Sequence, residues 1–180
     1  MSSQLAPQTQ ITFTLNGNPC TVTVAPNRPL LDVLREELDL TGTKKGCDYA
    51  GECGSCTVLL AGRAVRACLT PVGKVAGQSL VTIEGLATED QLHPLQQAFI
   101  DHGAVQCGYC TPAMELAIEE LLKRVANPTR RQVQDALSGN LCRCTGYEQI
   151  FTAVEIAKKR LNDPGFRQRV APDCREDLRV

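Results

Sequence analysis

Eight of the ten cysteines in this 180-residue chain fall into two sets of four. The first set has the spacing Cys47-x5-Cys53-x2-Cys56-x11-Cys68. The second set consists of two close pairs that are separated by 31 residues, Cys107-x2-Cys110 and Cys142-x-Cys144. Thiols grouped in this way are typical of metal or redox centres, and the rest of the chain can be interpreted as their scaffold.

Composition and charge exclude several other classes of protein. A net charge of −1 gives no electrostatic argument for binding nucleic acid or anionic lipid. No apolar run approaches the roughly 20 residues of a membrane-spanning helix. The opening MSSQLAPQTQ has neither an apolar signal core nor a twin-arginine pair, so we expect a cytoplasmic protein. Thiols stay reduced in that compartment, which favours metal ligation over structural disulfides.

The first half of the chain has the alternating apolar pattern of β-strands. Residues 10–24 and 57–69 each contain two alternating runs separated by a glycine turn, which predicts two β-hairpins. Residues 80–83 predict a further strand, with Cys68 placed on the strand before it. Residues 30–38 follow Pro29 with apolar residues at helical spacing, which predicts a helix. Together these elements predict a small mixed sheet with a helix across it.

After Gly85 the apolar period becomes that of helices. It predicts four of them, over residues 93–102, 111–126, 129–137 and 148–161. Thr111-Pro112 indicates a helix start with Thr111 as N-cap. Thr129 and Gln132 are predicted to form a capping box, and Gly139 indicates a helix end. We therefore expect an α+β chain with the following parts: a flexible N-terminus over 1–9, a first domain over 10–87, a four-helix domain over 88–161, and a tail over 162–180.

The first set of thiols lies in a loop rich in glycine. Plant-type [2Fe–2S] centres use C-x4-C-x2-C and a distant fourth cysteine. Gly46, Gly51 and Gly54 would let the chain wrap closely and aim backbone N–H groups at the sulfur atoms. One extra residue stands between the first two cysteines here, and we expect residues 48–52 to absorb it as a bulge. The spacing favours an iron–sulfur centre but leaves a four-thiolate zinc site open.

The second set of thiols is expected at helix ends. One pair precedes the predicted helix start at Thr111, and the other follows the predicted helix end at Gly139. The pairs could therefore converge, with the unpaired N–H groups of the Thr111 helix aimed at an anionic cluster. Zinc remains possible for this set from spacing alone.

The residues around the thiols carry a more specific signal. Five segments occur in this order: GTKKGC (42–47), GECGSCTV (51–58), TIEGL (82–86), QCGYCTP (106–112) and GNLCRCTGY (139–147). Over about residues 10–161 the chain resembles the iron–sulfur subunit of the xanthine oxidase family of molybdenum hydroxylases. Ser55 and Ala113 stand where that family usually has Ala and Gly, and both changes are small.

The resemblance implies a β-grasp plant-type ferredoxin domain followed by a four-helix domain, each with one [2Fe–2S] cluster. The implied ligands are Cys47, Cys53, Cys56 and Cys68 for the first cluster, and Cys107, Cys110, Cys142 and Cys144 for the second. A large partner subunit would carry a molybdenum–pterin cofactor, and a medium subunit would commonly carry FAD. Electrons would enter at Cys144 and pass through the second cluster to the first, with Gln106 and Cys144 against the pterin. The chain itself would be a non-catalytic subunit.

The remaining polar residues have ordinary interpretations or open ones. Cys20 is in phase with apolar positions and is expected to be a small buried residue, and Cys174 in the tail is expected to be incidental. We expect His93 and His102 to lie at helix ends. We expect a solvated helix face to carry Glu115, Glu119 and Glu120. Lys44 and Lys45 form a solvated pair or a positive rim. Arg143 either raises the potential of a cluster or forms an ion pair, and the ion pair is favoured. A free-standing two-cluster ferredoxin and a zinc-stabilised interaction module are the alternative functions.

Overall fold

The computed structural model describes residues 7–88 and 91–163 of the chain. Strands occupy the first half of this part and most of the helix lies in the second half, which confirms the predicted α+β class. Within these two ranges, no helix combines the length and the apolar character that crossing a membrane requires.

Both predicted hairpins form, each around a two-residue turn with positive φ angles. Strands β1 (Thr9–Leu15) and β2 (Asn18–Val24) are joined by Asn16 and Gly17, whose φ angles are 50° and 83°. Strands β3 (Thr57–Leu60) and β4 (Arg63–Arg66) are joined by Ala61 and Gly62 in the same way. Turns with positive φ match the right-handed twist of the paired strands.

The sheet has five strands in the order β2-β1-β5-β3-β4. Strand β5 (Ser79–Val81) pairs parallel with β1 and antiparallel with β3, so the sheet is mixed as predicted. The predicted strand over 80–83 was placed too far along the chain, because Ile83–Gly85 form a 3₁₀ turn. Cys68 likewise lies in a 3₁₀ turn, Ala67–Leu69, directly after β4, and the prediction of a strand there was wrong.

The helix across the sheet is shorter in its α-helical part than predicted. Helix α1 covers Leu30–Asp32 and continues as a π-helical turn over Val33–Glu37. The wider turn is closed by a hydrogen bond of 3.1 Å from the Leu38 N–H to the Val33 carbonyl oxygen. Leu30, Leu31, Val33 and Leu34 are all buried, so this segment is the apolar cover of the sheet.

The four later helices lie close to their predicted bounds: α2 Pro94–Asp101, α3 Thr111–Arg124, α4 Arg130–Leu137 and α5 Glu148–Asn162. Thr129 and Gln132 form the predicted capping box, and His93 and Gln96 form another that was not predicted. At α3 the prediction was wrong by one residue, since Cys110 is the N-cap and Thr111 is already helical.

The predicted ends of the ordered chain need small corrections. Thr9 belongs to β1 and Asn162 to α5, so neither is part of a terminal tail. Residues 164–180, with Cys174, lie outside the described residues.

Most of the buried apolar residues form two clusters. One contains residues between Ile11 and Leu80, and the other contains residues between Leu95 and Ala157. Helix α3 packs against β3 and β4 and so joins the helical half to the sheet. This packing places the start of α3 and the segment after α4 beside the loop that precedes β3.

Candidate metal centres

The loop that carries the first three cysteines spans residues 41–56 and is tied to the sheet half by side chains. The Arg35 guanidinium donates to the carbonyl oxygens of Thr41 at 3.0 Å and Thr43 at 2.8 Å. The Glu84 carboxylate accepts from the Gly42 N–H at 2.8 Å. These bonds fix the loop at its start, before the first thiol.

The extra residue between Cys47 and Cys53 is absorbed by a tight turn. Asp48 and Tyr49 both have left-handed backbone angles, with φ of 50° and 68°, and the Ala50 N–H donates to the Cys47 carbonyl oxygen at 3.1 Å. Left-handed angles are unfavourable for residues other than glycine, so the turn needs external support. The Tyr49 hydroxyl provides it by donating to the Asp32 carboxylate at 2.6 Å.

The four thiols of the first set come together: contacts at hydrogen-bonding range join them as two pairs, and Cys68 also interacts electrostatically with Cys47 and Cys53. Cys47 interacts with Cys53, and Cys56 interacts with Cys68. Cys56 and Cys68 are buried, whereas Cys47 and Cys53 are half-buried. Burial raises the pKa of the Cys68 thiol to about 12.

Backbone N–H groups of the loop are aimed at Cys47, as the sequence predicted. Hydrogen bonds from the backbone of Cys53, and also of Glu52 and Gly51, lower the pKa of the Cys47 thiol to about 7. Donors that stabilise a thiolate also stabilise the negative charge of an iron–sulfur centre.

Gly46 and Ser55 lie beside the Cys53 sulfur. The Ser55 hydroxyl is 3.1 Å from Cys53 Sγ. A Cβ atom at Gly46 would lie 2.7 Å from Ser55 Oγ and 2.9 Å from Cys53 Sγ, closer than atoms pack. Glycine at position 46 is therefore required by lack of space and not by its backbone angles.

The two cysteine pairs of the second set converge, as their placement at helix ends predicted. Cys107 interacts with Cys144, and Cys110 interacts with Cys142. Cys110 is buried, which raises its thiol pKa to about 12. Cys107 and Cys144 are exposed.

The loop that carries Cys142 and Cys144 is held by Tyr147, a residue that the sequence reasoning missed. The Tyr147 hydroxyl accepts from the Cys142 N–H at 2.9 Å and donates to the Asn140 carbonyl oxygen at 3.0 Å. The Thr145 hydroxyl lies 3.1 Å from Cys142 Sγ, and the Thr145 N–H donates to the same sulfur at 3.4 Å. Burial opposes ionisation of Cys142, but these hydrogen bonds outweigh it and lower the pKa of the thiol.

The arrangement of the thiols in pairs bears on the kind of metal centre that they could hold. Within residues 7–88 and 91–163, no three His, Cys, Asp or Glu side chains are placed to hold a single metal ion. In a two-iron cluster each iron takes two protein ligands, so two interacting pairs in each set fit such a cluster.

Hydrogen bonds join the two thiol-bearing loops, and the sequence pattern indicated none of them. The Leu141 N–H donates to the Cys53 carbonyl oxygen at 3.0 Å. The Asn140 side-chain amide donates to the Gly54 carbonyl oxygen at 3.0 Å, and the Tyr109 hydroxyl donates to the Lys45 carbonyl oxygen. These contacts connect residues that are far apart in the chain, a distance at which spacing carries no signal.

Gly54 is required at this junction, and Gly139 is closely packed there. Gly54 has a φ of 68°, and a Cβ atom there would overlap the carbonyl oxygen of Gly139. Gly139 directly follows the C-cap Ser138 but does not have a positive φ. A Cβ atom at Gly139 would instead meet the guanidinium of Arg66, which donates to the Gly139 carbonyl oxygen at 3.3 Å and would have to move.

One face beside the second set is exposed and partly apolar. Gln106 and Arg143 are exposed there with Cys107 and Cys144. The large side chains around them are exposed by 38% at Val105, 45% at Tyr109 and 59% at Leu141. The ion pair favoured for Arg143 does not form with any residue in the described ranges.

The prediction of a solvated glutamate face on α3 was wrong for two residues. Glu115 and Glu119 are buried, by contact with α2. Glu119 lies 3.5 Å from the ring of His93 and 3.3 Å from the Lys123 ammonium. Burial raises the pKa of Glu115 to about 8.

The other ordinary interpretations fare better. His93 and His102 are the N-cap and C-cap of α2, as predicted. Cys20 is half-buried on β2 opposite Phe13. Near the first set, Lys45 pairs with Asp48 at 3.4 Å and lies over the Tyr49 ring, while Lys44 donates to the Thr41 carbonyl oxygen.

Comparison with known families matches both halves of the chain. The "2Fe-2S iron-sulfur cluster binding domain" family matches residues 13–85, and the "[2Fe-2S] binding domain" family matches residues 82–155. The first match includes all four thiols of the first set and the second match all four of the second. Fold and sites together define an iron–sulfur protein with two [2Fe–2S] clusters.

Individual relatives narrow this class. The chain is 45% identical to the nicotinate dehydrogenase small FeS subunit of Eubacterium barkeri, over 83% of this chain and 95% of the relative. It matches the crystal structure of quinoline 2-oxidoreductase from Pseudomonas putida 86 with a TM-score of 0.81 and 42% identity, over 86% of this chain and 96% of the matched chain. Aldehyde oxidoreductase of Megalodesulfovibrio gigas is 43% identical, but there the match covers 85% of this chain and only 17% of the relative. The chain belongs to the iron–sulfur subunits of the xanthine oxidase family of molybdenum hydroxylases. It is an electron-transfer subunit of an oxidoreductase.

Proposed function

We propose that this chain takes electrons from a molybdenum–pterin site on a large partner chain and passes them toward FAD or an external acceptor. The observation that supports this route best is the hydrogen bond between the Leu141 N–H and the Cys53 carbonyl oxygen. Leu141 precedes one proposed ligand, Cys142, and Cys53 is a proposed ligand of the other cluster. A short path of covalent bonds and one hydrogen bond therefore joins the two sites.

Cys47, Cys53, Cys56 and Cys68 would hold the first cluster, and Cys107, Cys110, Cys142 and Cys144 the second. When bound, each [2Fe–2S] cluster supplies a site that accepts and releases an electron at a potential set by its surroundings. The chain's own contribution is to hold the sulfur atoms, to donate hydrogen bonds to them and to keep the two sites adjacent.

The proposed domains are a β-grasp plant-type ferredoxin domain over 10–87 and a four-helix domain over 88–161. Two separate apolar cores, one in each range, support this division. The flanking segments would be residues 1–8 and 163–180, because Thr9 belongs to β1 and Asn162 to α5.

Electrons would enter on the face that contains Gln106 and Cys144. Both residues are exposed, and Cys144 is adjacent to Cys107, so a pterin that lies on this face would be close to the second cluster. The large subunit would cover the exposed side chains of Val105, Tyr109 and Leu141. The buried part of protein interfaces is enriched in apolar side chains.

The medium subunit with FAD is proposed to lie near the first cluster, where Lys44 and Lys45 border the loop of Cys47. A complex of this kind would work in the cytoplasm, where reduced thiols persist. In the relative from Megalodesulfovibrio gigas the matched region is a small part of a much longer chain, which is consistent with partner domains around such a unit.

Iron analysis and electron paramagnetic resonance (EPR) test this function. The purified chain should contain about four irons, two for each cluster, and give two distinct signals after reduction. Cys144→Ser should lose the second signal and block reduction by substrate. Cys20→Ser should keep both signals, because Cys20 belongs to neither set and lies on β2, at the opposite edge of the sheet from β4.

Two results would contradict the proposal. Bound zinc without iron would exclude electron transfer, and a Cys144→Ser variant with both signals and full turnover would exclude the assigned ligand. Purification in the native state distinguishes the proposed subunit from a free-standing two-cluster ferredoxin. The ferredoxin would purify alone, whereas an enzyme subunit would purify with a large chain.

A further inference from the structure

The Ser55 side chain is buried against the Cys53 sulfur. Its exposed fraction is 4%, and its Oγ lies 3.1 Å from Cys53 Sγ. Its hydroxyl also contacts the Lys44 carbonyl oxygen at 3.4 Å, a longer and weaker interaction. Gly46 leaves the space that the hydroxyl occupies, since a Cβ atom at position 46 would lie 2.7 Å from Ser55 Oγ.

The direction of this hydrogen bond follows from the chemistry of Cys53. A cysteine that ligates iron has lost its proton, so its sulfur can only accept. Ser55 must then be the donor across the 3.1 Å contact. Because water is excluded around Ser55, a hydrogen bond to a charged sulfur is stronger there than at the surface.

We infer that Ser55 raises the reduction potential of the first cluster by donating a hydrogen bond from its hydroxyl to Cys53 Sγ. The inference rests on the proposed function. One-electron reduction adds negative charge that is shared by the sulfur ligands, so a donor stabilises the reduced form more than the oxidised form. If one electron passed from the second cluster to the first, Ser55 would keep its proton and no bond would break. The hydroxyl therefore favours electron transfer in the proposed direction.

The second set contains a comparable contact, which provides an internal control. Thr145 Oγ1 lies 3.1 Å from Cys142 Sγ and accepts a hydrogen bond from the Tyr147 N–H at 3.1 Å. As an iron ligand the Cys142 sulfur can only accept, so Thr145 is the donor across this contact, to a ligand of the second cluster.

The experiment is an EPR-monitored redox titration of the assembled complex with wild-type chain, Ser55→Ala or Thr145→Val. In Ser55→Ala the equilibrium for reduction of the first cluster should fall roughly tenfold, which is about 59 mV for one electron, while the second cluster keeps its potential. Thr145→Val should lower only the reduction potential of the second cluster. In Ser55→Cys, whose thiol is a weaker donor, the potential of the first cluster should lie between those of wild type and Ser55→Ala.

A second measurement tests the donor directly. In D₂O the wild-type first cluster should show a deuteron coupling from Ser55 by pulsed EPR methods, and Ser55→Ala should lose it. An unchanged first-cluster potential in an iron-replete Ser55→Ala, an equal shift of both clusters, or retention of the coupling would overturn the inference. If the wild-type chain shows no cluster signals at all, the proposed function itself fails, which is a distinct result.

Discussion

The side-chain amide of Asn140 donates to the carbonyl oxygen of Gly54 at 3.0 Å, across 86 residues of sequence. Gly54 lies between two thiols of the first set, and Asn140 comes two residues before the Cys142 thiol of the second. Asn140 is buried, and its own carbonyl oxygen accepts from the Tyr147 hydroxyl. One residue therefore supports both loops at once.

Asn140→Ala should destabilise the junction. The substitution removes one hydrogen bond, worth about 0.5–1.5 kcal/mol, while the Gly54 carbonyl oxygen keeps the N–H and the hydroxyl of Thr57 as donors. We expect a lower urea midpoint, measured by far-UV circular dichroism on the cluster-loaded chain, and faster iron loss. Asn18→Ala is the control, because the exposed Asn18 side chain bonds within the first hairpin, to the Asn16 carbonyl oxygen. Equal midpoints for the two variants would contradict the role of Asn140.

Tyr109→Phe should change how the two clusters interact while leaving each intact. The substitution keeps the ring but removes the hydroxyl that donates to the Lys45 carbonyl oxygen. The loop of Cys47 then loses its tie to the loop of Cys107 and can move relative to it. The measurement is the spin–spin splitting between the two reduced clusters. Tyr49→Phe, which removes a bond within the first half alone, should leave the splitting closer to wild type.

Gly46→Ala should damage the first cluster selectively. Its new methyl group would lie 2.9 Å from Cys53 Sγ and displace either that sulfur or Ser55. We expect loss or broadening of the first EPR signal and about two irons per chain instead of four. Gly77→Ala is the control, because no described atom lies near its Cβ position although its φ is 70°. An undiminished EPR signal of the first cluster in Gly46→Ala would contradict the prediction, because it would show that the loop can accommodate a methyl group at position 46.

Glu115→Gln should stabilise the fold in a pH-dependent way. Burial raises the pKa of Glu115 to about 8 from an ordinary value of 4.5, with Gln96 partly opposing the rise by hydrogen bonding. The folded state therefore holds this proton more tightly than the unfolded state, and wild-type stability falls as the pH rises from 4.5 to about 8. Over that window the advantage of glutamine should grow by roughly 1.4 kcal/mol per pH unit and then level off.

Urea midpoints at about pH 5, 7 and 9 measure this trend on both sides of the expected transition. Glu155→Gln is the matched control, because Glu155 is half exposed and pairs with nearby Lys158. A constant difference between Glu115→Gln and wild type at all three values would mean that Glu115 ionises normally in the folded chain.

Features that depend on neighbouring residues were predicted well. The two hairpins, the capping box of Thr129 and Gln132, and the pairing of thiols at helix ends all follow from local backbone preferences and short spacings. The errors arose where packing overrides local preference. Cys68 turns out of its strand, the π-helical turn replaces part of α1, and Glu115 is buried because α2 covers its face of α3.

By itself, the sequence determined the eight candidate ligands, the α+β class and the family, because these are encoded in short motifs whose chemistry is local. The tertiary structure decided how the two sites meet. Tyr109, Asn140 and Leu141 lie inside recognised motifs, yet their partners Lys45, Gly54 and Cys53 are far away in the sequence. Only the packing of α3 against the sheet brings these residues within hydrogen-bonding distance. No periodicity or spacing encodes that approach, because it depends on the shapes of both halves of the chain.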